Sequence, residues 1–381
     1  MTAHAPATTV QDPTATADAV QREVDQLLAR ARILTAPPLR SAVGRLVPPT
    51  DMFAAYHFGW ADAAGRPADS DTGKGLRAAL VLLSGEAAGA PPSAWLPGAV
   101  AVELVHNFSL VHDDLMDGDE QRRHRDTVWK AYGPAQAVLV GDALLALADE
   151  TLLDLGTEQA ARAARLLATA VRRLIDGQTR DLAFERRRKV TLDEYLTMAG
   201  DKTGALLACA SSVGAVLGGA SDGEADALAR YGHHLGLAFQ AVDDLLGIWG
   251  DPEVTGKPAW GDLRRHKMTL PLVAALDAGG PASDHLAARL ATHWDAAPGP
   301  VPGASSAAAD EAREKAVPCD DEGQLAELAA LIEEAGGRRR AHAEARRQRD
   351  AALAALEPLC LPDEARRAFG RLAEFVSVRR K

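Results

Sequence analysis

From about residue 19 onward, apolar residues recur at helical spacing in long runs, and each run is cut by a short glycine- or proline-rich break. The breaks are RPADSDTG near 66–73, AGAPPS at 88–93, YGP at 132–134 and GGASDGEA at 218–225. Glycine frees the backbone and proline removes a donor, so such breaks end helices. No stretch of useful length alternates apolar and polar residues with the period of two that a half-buried strand needs. Alanine and leucine dominate, and aromatic residues make up only 4% of the 381 residues, which tilts local propensity the same way. The expectation is an all-α chain, organised as one helical domain over residues 19–381.

Two segments fall outside that pattern. Residues 1–18, MTAHAPATTVQDPTATAD, have no periodic apolar face with which to offset the entropy of ordering, and are expected to be a disordered tail. A docking segment for another protein is the minority reading of the same stretch. Residues 296–323 mix Pro, Gly, Ser and charge, and are expected to form a long surface loop.

The formal net charge of -11 argues against a nucleic-acid partner, which calls for a broad basic surface to replace phosphate counterions. Cys209, Cys319 and Cys360 are far apart and lack metal-ligand spacing, which fits a reducing compartment; with no secretory or transit signal at the start, the expected location is the cytoplasm. Residues 204–221 carry no charge and reach the lower length limit of a membrane span. Their glycine and serine content suits a close-packed buried helix better than lipid, so no transmembrane segment is expected.

The chemistry concentrates where an apolar helix runs into carboxylates, in SLVHDDLMDGD at 109–119. Ser93 is positioned to cap this helix, which is expected to run to about 117. Asp113 and Asp117 then share one face and Asp114 lies about 100° around. Carboxylates one turn apart repel, and the helix macrodipole opposes negative charge at a C-terminus. Mg²⁺ relieves both conflicts, because it takes one or two carboxylates and fills its shell with water and phosphate. One acidic helix end is weak evidence alone. A second, GLAFQAVDDLLGIWGD at 236–251, repeats the design with Asp243 and Asp244, and two such ends can face each other across a bundle.

Two acidic walls holding Mg²⁺ imply a diphosphate, and a diphosphate needs donors. Candidates are Lys74 and Arg77 in TGKGLRAAL, His106, the pair Arg122 and Arg123, Lys202 in GDKTGALL, and Lys257 in TGKPAWGD. The run Arg186, Arg187, Arg188 and Lys189 reads instead as a solvated face.

In order and spacing these motifs resemble the trans-isoprenyl diphosphate synthases, or polyprenyl synthetases, from about residue 40 to the C-terminus. The carriers are GKGLR at 73–77, ELVHNFSLVHDDLMD at 103–117, RR at 122–123, GQTRD at 177–181, KTGAL at 202–206, FQAVDD at 239–244, GK at 256–257 and DLRRHK at 262–267. The resemblance implies an isoprenoid-synthase-type helical bundle around a deep central cavity. It also implies a homodimer, and Mg²⁺-dependent joining of an allylic diphosphate to isopentenyl diphosphate. By the same resemblance, Asp113, Asp117 and Asp243 would ligate Mg²⁺, three ions per active site, with Asp114 and Asp244 supporting the ions directly or through water. Arg122, Lys202 and Lys257 would hold the allylic diphosphate, and Lys74, Arg77, His106 and Arg123 isopentenyl diphosphate. Thr203 and Gln240 would offer oxygen dipoles to the allylic cation.

The chain departs from the family pattern at Gly247, where the second motif usually ends in Asp; Asp251 is a candidate to compensate. His124 and Asp126 replace a usual Gly and Pro, and Gly75 replaces a frequent basic residue. Ser109 and Phe108, four and five residues before Asp113, lie roughly 6 to 7.5 Å down the helix, where a growing chain would run. With Phe108 as floor, the product is short. Bacterial farnesyl diphosphate synthases usually carry two extra residues in the first motif, which this chain lacks, so geranylgeranyl diphosphate is the favoured product and farnesyl diphosphate the alternative. A terpene cyclase is disfavoured by the DDLL motif and few aromatics; a non-catalytic subunit of a heteromeric synthase is disfavoured by the retained acidic and basic sets.

Overall fold

The computed structural model describes residues 13–68, 70, 73–185, 187, 189–251, 259–294 and 322–378. The helices are α1 (Pro13–Val43), α2 (Thr50–His57), α3 (Leu76–Ala87), α4 (Pro92–Asp117), α5 (Val128–Tyr132), α6 (Pro134–Leu153), α7 (Glu158–Phe184) and α8 (Leu192–Ala199), followed by a widened π turn (Gly200–Gly204). Then come α9 (Ala205–Leu217), α10 (Asp222–Trp249), α11 (Gly261–Arg264), α12 (Leu270–Asp277), α13 (Pro281–Trp294), α14 (Glu322–Glu334), α15 (Gly337–Ala355) and α16 (Asp363–Val378). A two-stranded antiparallel hairpin, β1 (Gln121–Arg122) and β2 (Arg125–Asp126), interrupts the helices after α4. The all-α expectation holds apart from this hairpin, whose strands are too short to leave a period in the sequence.

Local chemistry sets the helix ends. Thr191 with Glu194, and Ser221 with Glu224, form reciprocal capping boxes that open α8 and α10. Gly118, at φ 70°, closes α4 just after Asp117, a left-handed conformation that costs glycine little. Two expected boundaries shift. Ser93 does not cap α4; Pro92 opens it, because proline's fixed φ and missing N–H suit the first helical turn. For the same reason α1 begins at Pro13, inside the stretch 1–18; residues 1–12 lie outside the described residues, as does the expected loop 296–323 up to 321.

The uncharged segment 204–221 becomes α9, in which all thirteen residues are buried. Its small residues explain that position. A Cβ on Gly214 would lie 2.1 Å from the Val81 carbonyl of α3, and one on Gly232 of α10 would lie 2.3 Å from the Leu207 carbonyl, so the backbones nearly touch. One larger hydrophobic core surrounds α9, drawing on α1, α3, α4, α6, α7 and the first half of α10. A second core joins α8, the last turns of α10, α12, α14 and α15. The acidic end of α10 therefore sits where the two cores meet. Among the described residues, α4 alone is long and apolar enough to cross a membrane, and 61% of its apolar window is buried inside the protein. Arg187 pairs with Glu194 at 2.8 Å with both side chains exposed, as a solvated face requires; Arg186 and Arg188 lie outside the described residues.

Candidate active site

The last turns of α4 present Asp113 and Asp117 on one face. Asp113 is largely buried, and this desolvation pushes its carboxyl up to about 6, against the pull of the Lys202 ammonium and with a further push from Asp117. Asp117 Oδ2 accepts from Lys267 Nζ at 3.0 Å, whereas its Oδ1 is buried with no hydrogen-bond partner. Burial alone would lower the Lys267 pKa; the neighbouring Asp117 and Asp181 more than reverse this and hold it above the ordinary lysine value. Lys267 thus ties the end of α4 to the segment that follows α10. Arg265 does the same at the rim, 2.7 Å from Asp119.

Asp114 and Asp244 were expected to support metal ions. Asp114, 2% exposed, turns instead toward the hairpin, where Arg122 grips it through Nε at 2.8 Å and Nη2 at 2.6 Å. Asp244 accepts from Gln240 Nε2 at 2.8 Å, from the Leu270 backbone N–H at 2.7 Å and from the Tyr195 hydroxyl. Burial, with the Asp262 charge second, pushes the Asp244 carboxyl up to about 7. Protein donors engage both oxygens of each carboxylate. Asp114 fixes Arg122, and Asp244 fixes Gln240. Gln240 in turn accepts from Thr203 Oγ1 at 2.6 Å, which assembles the expected pair.

The π turn that carries Lys202 and Thr203 has a seat on α7. A Cβ on Gly177 would fall 2.2 Å from the Lys202 backbone nitrogen, so only glycine at 177 admits the turn. Lys202 Nζ then reaches Asp181 of the same helix at 2.5 Å.

A cationic wall rises on the side of α3. Arg77 donates to His106 Nε2 at 3.1 Å, so this imidazole is neutral; burial first, and then the charges of Arg77, Arg122 and Arg123, hold its pKa well below the ordinary value. Arg77 also senses Glu103 and Asp243, which connects the wall to the second acidic end. Arg123, itself at φ 51°, lays its guanidinium over Gly73, where a Cβ would lie 2.6 Å from Nη2. Arg77, His106, Arg122 and Arg123 are therefore neighbours. Lys74 is exposed, with Nζ 6.0 Å from the Phe375 ring centroid. Lys257 lies outside the described residues.

Below the carboxylates, Phe108 is buried and meets His112 edge to face, with ring centroids 4.9 Å apart. Ser109 is buried and turns its hydroxyl back to the His106 carbonyl at 2.8 Å.

Several residues around the site carried no assigned role in the sequence. Asp181, Asp262 and Lys267 sit inside quoted motifs. Glu103 is a half-buried acid within an apolar helix, and that conflict is itself a signal. Tyr195 gave none. Gln178 is 4% exposed with both amide atoms lacking partners.

Among the described residues no three carboxylate, histidine or cysteine side chains converge as a closed metal cage. An open pair of carboxylates with an unsatisfied buried oxygen on Asp117 suits Mg²⁺, which leaves most of its shell to water and phosphate. The donor set fits that ion.

Residues 61–297 match the polyprenyl synthetase family model. The chain is 46% identical to the (2E,6E)-farnesyl diphosphate synthase of Mycobacterium tuberculosis H37Rv over 96% of each chain. It is 48% identical to the geranylgeranyl diphosphate synthase of the same organism, over 69% of this chain and 75% of that one. A crystal structure of a polyprenyl synthetase from Streptomyces coelicolor A3(2) superposes with a TM-score of 0.84 at 59% identity, covering 93% of this chain and 99% of the other. Paired acidic helix ends, the π turn and the basic wall thus occur in a chain that belongs to the polyprenyl synthetase family.

Proposed function

We propose that this protein is a short-chain prenyltransferase that joins an allylic diphosphate to isopentenyl diphosphate head to tail, with Mg²⁺ held by Asp113, Asp117 and Asp243. The observation that carries this reading is the juxtaposition of Asp117 with Lys267 and of Asp181 with Lys202, which gathers acidic and basic groups from α4, α7, the π turn and the segment after α10 around one space. When bound, Mg²⁺ neutralises the diphosphate and acts as a Lewis acid toward its departure.

The chain's own groups account for the rest. Arg122, Lys202 and Lys257 hold the allylic diphosphate, the first oriented by Asp114 and the second by Asp181. Arg77, His106 and Arg123, with Lys74 at the rim, bind isopentenyl diphosphate. With Nε2 accepting from Arg77, the neutral His106 keeps its proton on Nδ1 and donates from there without adding charge. The Thr203 and Gln240 oxygens present dipoles to positive charge developing at the allylic carbon, and Asp244 keeps Gln240 in place. The apolar walls exclude water, so the released diphosphate is the nearest base for the final proton.

The favoured product is geranylgeranyl diphosphate, supported by the uninterrupted first motif and by Phe108 beneath it. A second reading, farnesyl diphosphate, is favoured by the likeness to the mycobacterial farnesyl diphosphate synthase over nearly the whole chain. The enzyme acts as a homodimer in this account; Val138, Leu139 and Leu153 of α6 and Ile175 of α7 are exposed apolar residues suited to meeting a second copy. The test is incubation of the purified protein with Mg²⁺, isopentenyl diphosphate and dimethylallyl, geranyl or farnesyl diphosphate in turn. Chain extension supports the reading, and the longest accumulated product separates the two lengths. Absence of extension with every primer contradicts it.

A further inference from the structure

The hairpin that carries Arg122 and Arg123 turns through residues that do not favour it. Its strands pair Gln121 with Asp126 and Arg122 with Arg125, so Arg123 and His124 alone make the turn, at φ 51° and 60°. A two-residue hairpin turn of this kind needs positive φ at both central positions, which glycine and asparagine supply most readily. Neither residue here is glycine. His124 stands where the family pattern has one, and its side chain is exposed, so no burial offsets the strain. Other residues hold such a conformation only where the surrounding structure over-determines it.

That surrounding structure comes from α2. The hydroxyl of Tyr56, 70 residues before Asp126 in the chain, donates to the Asp126 carbonyl at 2.7 Å. Arg125 Nη2 returns the contact, donating to the Tyr56 carbonyl at 2.6 Å and to the Ala61 carbonyl at 3.4 Å. The Arg125 guanidinium also lies over the Tyr56 ring, 4.4 Å from its centroid. Tyr56 is itself buried and set edge-on against Tyr132 of α5, with ring centroids 5.1 Å apart. Asp114 thus fixes the first strand through Arg122, and Tyr56 with Arg125 fixes the second.

We propose that Tyr56 and Arg125 are positioning residues, which clamp β2 to α2 and so hold a strained turn in the shape that aims Arg122 and Arg123 at the two diphosphates. With His124 and Asp126 in place of a glycine and a proline, the turn lacks local devices for that shape, and the clamp supplies it from a distant helix. Arg125 is suited to this by its planar fork, which reaches two carbonyls while stacking on a ring; a lysine keeps the charge and loses both properties. This inference rests on the function proposed above.

The test is steady-state kinetics on the full-length protein, with isopentenyl diphosphate and the allylic diphosphate varied in turn, beside a thermal melt. Arg125→Lys keeps the local charge, so any loss reports geometry. It should raise KM for both substrates together, because Arg122 and Arg123 move as one unit, and lower kcat/KM by up to about 100-fold. Tyr56→Phe, which removes only the hydroxyl bond to Asp126, should show the same pattern at smaller amplitude. Adding His124→Gly to Arg125→Lys relieves the strain that the clamp opposes, and should restore most of the loss. Native KM values in both Arg125→Lys and Tyr56→Phe, with chain extension by the native protein intact, overturn the clamp and leave the function standing. A loss that His124→Gly does not rescue also overturns it, since a merely structural role predicts a lower melting temperature without rescue. No extension by the native protein with any primer removes the functional reading, and this inference with it.

Discussion

Lys267 Nζ lies 3.0 Å from Asp117 Oδ2, so a lysine from beyond the second acidic helix closes onto the last turn of the first. Both side chains are mostly buried, at 19% and 12% exposure. Removing one partner of such a pair leaves an uncompensated charge, at a cost of about 3–5 kcal/mol. Lys267→Met should therefore lower the thermal midpoint in metal-free buffer. Mg²⁺ with pyrophosphate should restore part of the loss, because Asp117 regains a cation. A variant that melts as the native protein does would show that the bridge contributes little.

Acid titration offers a sharper check. Asp113 titrates near 3.8 when unfolded and at about 6 in the fold. The folded state holds the extra proton in that window, so stability present below pH 3.8 is lost as pH rises through 6. Asp113→Asn cannot ionise. In metal-free buffer it should match the native protein near pH 4 and exceed it at pH 7 by up to about 2–3 kcal/mol. With Mg²⁺ and pyrophosphate the order should invert. Denaturant melts at the two pH values measure both differences, and a constant offset across pH would contradict the assignment.

Gly177 is predicted to matter through its neighbour. Gly177→Ala places a Cβ 2.2 Å from the Lys202 backbone nitrogen and forces the π turn off α7. A displacement of about 1 Å in positioning groups costs on the order of 10²-fold in rate. Steady-state kinetics should show kcat falling by that order while circular dichroism stays helical. Unchanged kcat would mean that the turn tolerates the shift.

Much of the fold was legible because its signals are local. The helix breaks, the end of α4 at Asp117 and both acidic motifs follow from residue type and spacing. Three features were not. The hairpin at 121–126 is two residues a strand and turns through Arg123 and His124 at positive φ, which sequence propensity does not favour. The π turn depends on Gly177, far away in the chain. The contact of Gly247 with Asp262 is visible only once α11 is folded against α10. The partners of Asp114 and Asp244 were hidden for the same reason: spacing shows which carboxylates share a face, but not that Arg122 reaches the first and Tyr195 and the Leu270 N–H the second.

Phe108→Ala opens the space beneath the carboxylates. Deleting the buried ring costs about 3–5 kcal/mol, so the variant should be less stable and still helical. Its products should be longer by one or more five-carbon units, read by chromatography after dephosphorylation. An unchanged length would remove Phe108 as the floor.

The central claim is that the ends of α4 and α10 hold divalent metal around one diphosphate. A crystal structure with Mn²⁺ and pyrophosphate, with the metal located by anomalous scattering, tests it directly. The account predicts anomalous peaks at Asp113 with Asp117 and at Asp243, bridged by the diphosphate. Peaks confined to other surfaces, or a diphosphate bound away from both helix ends, would contradict it.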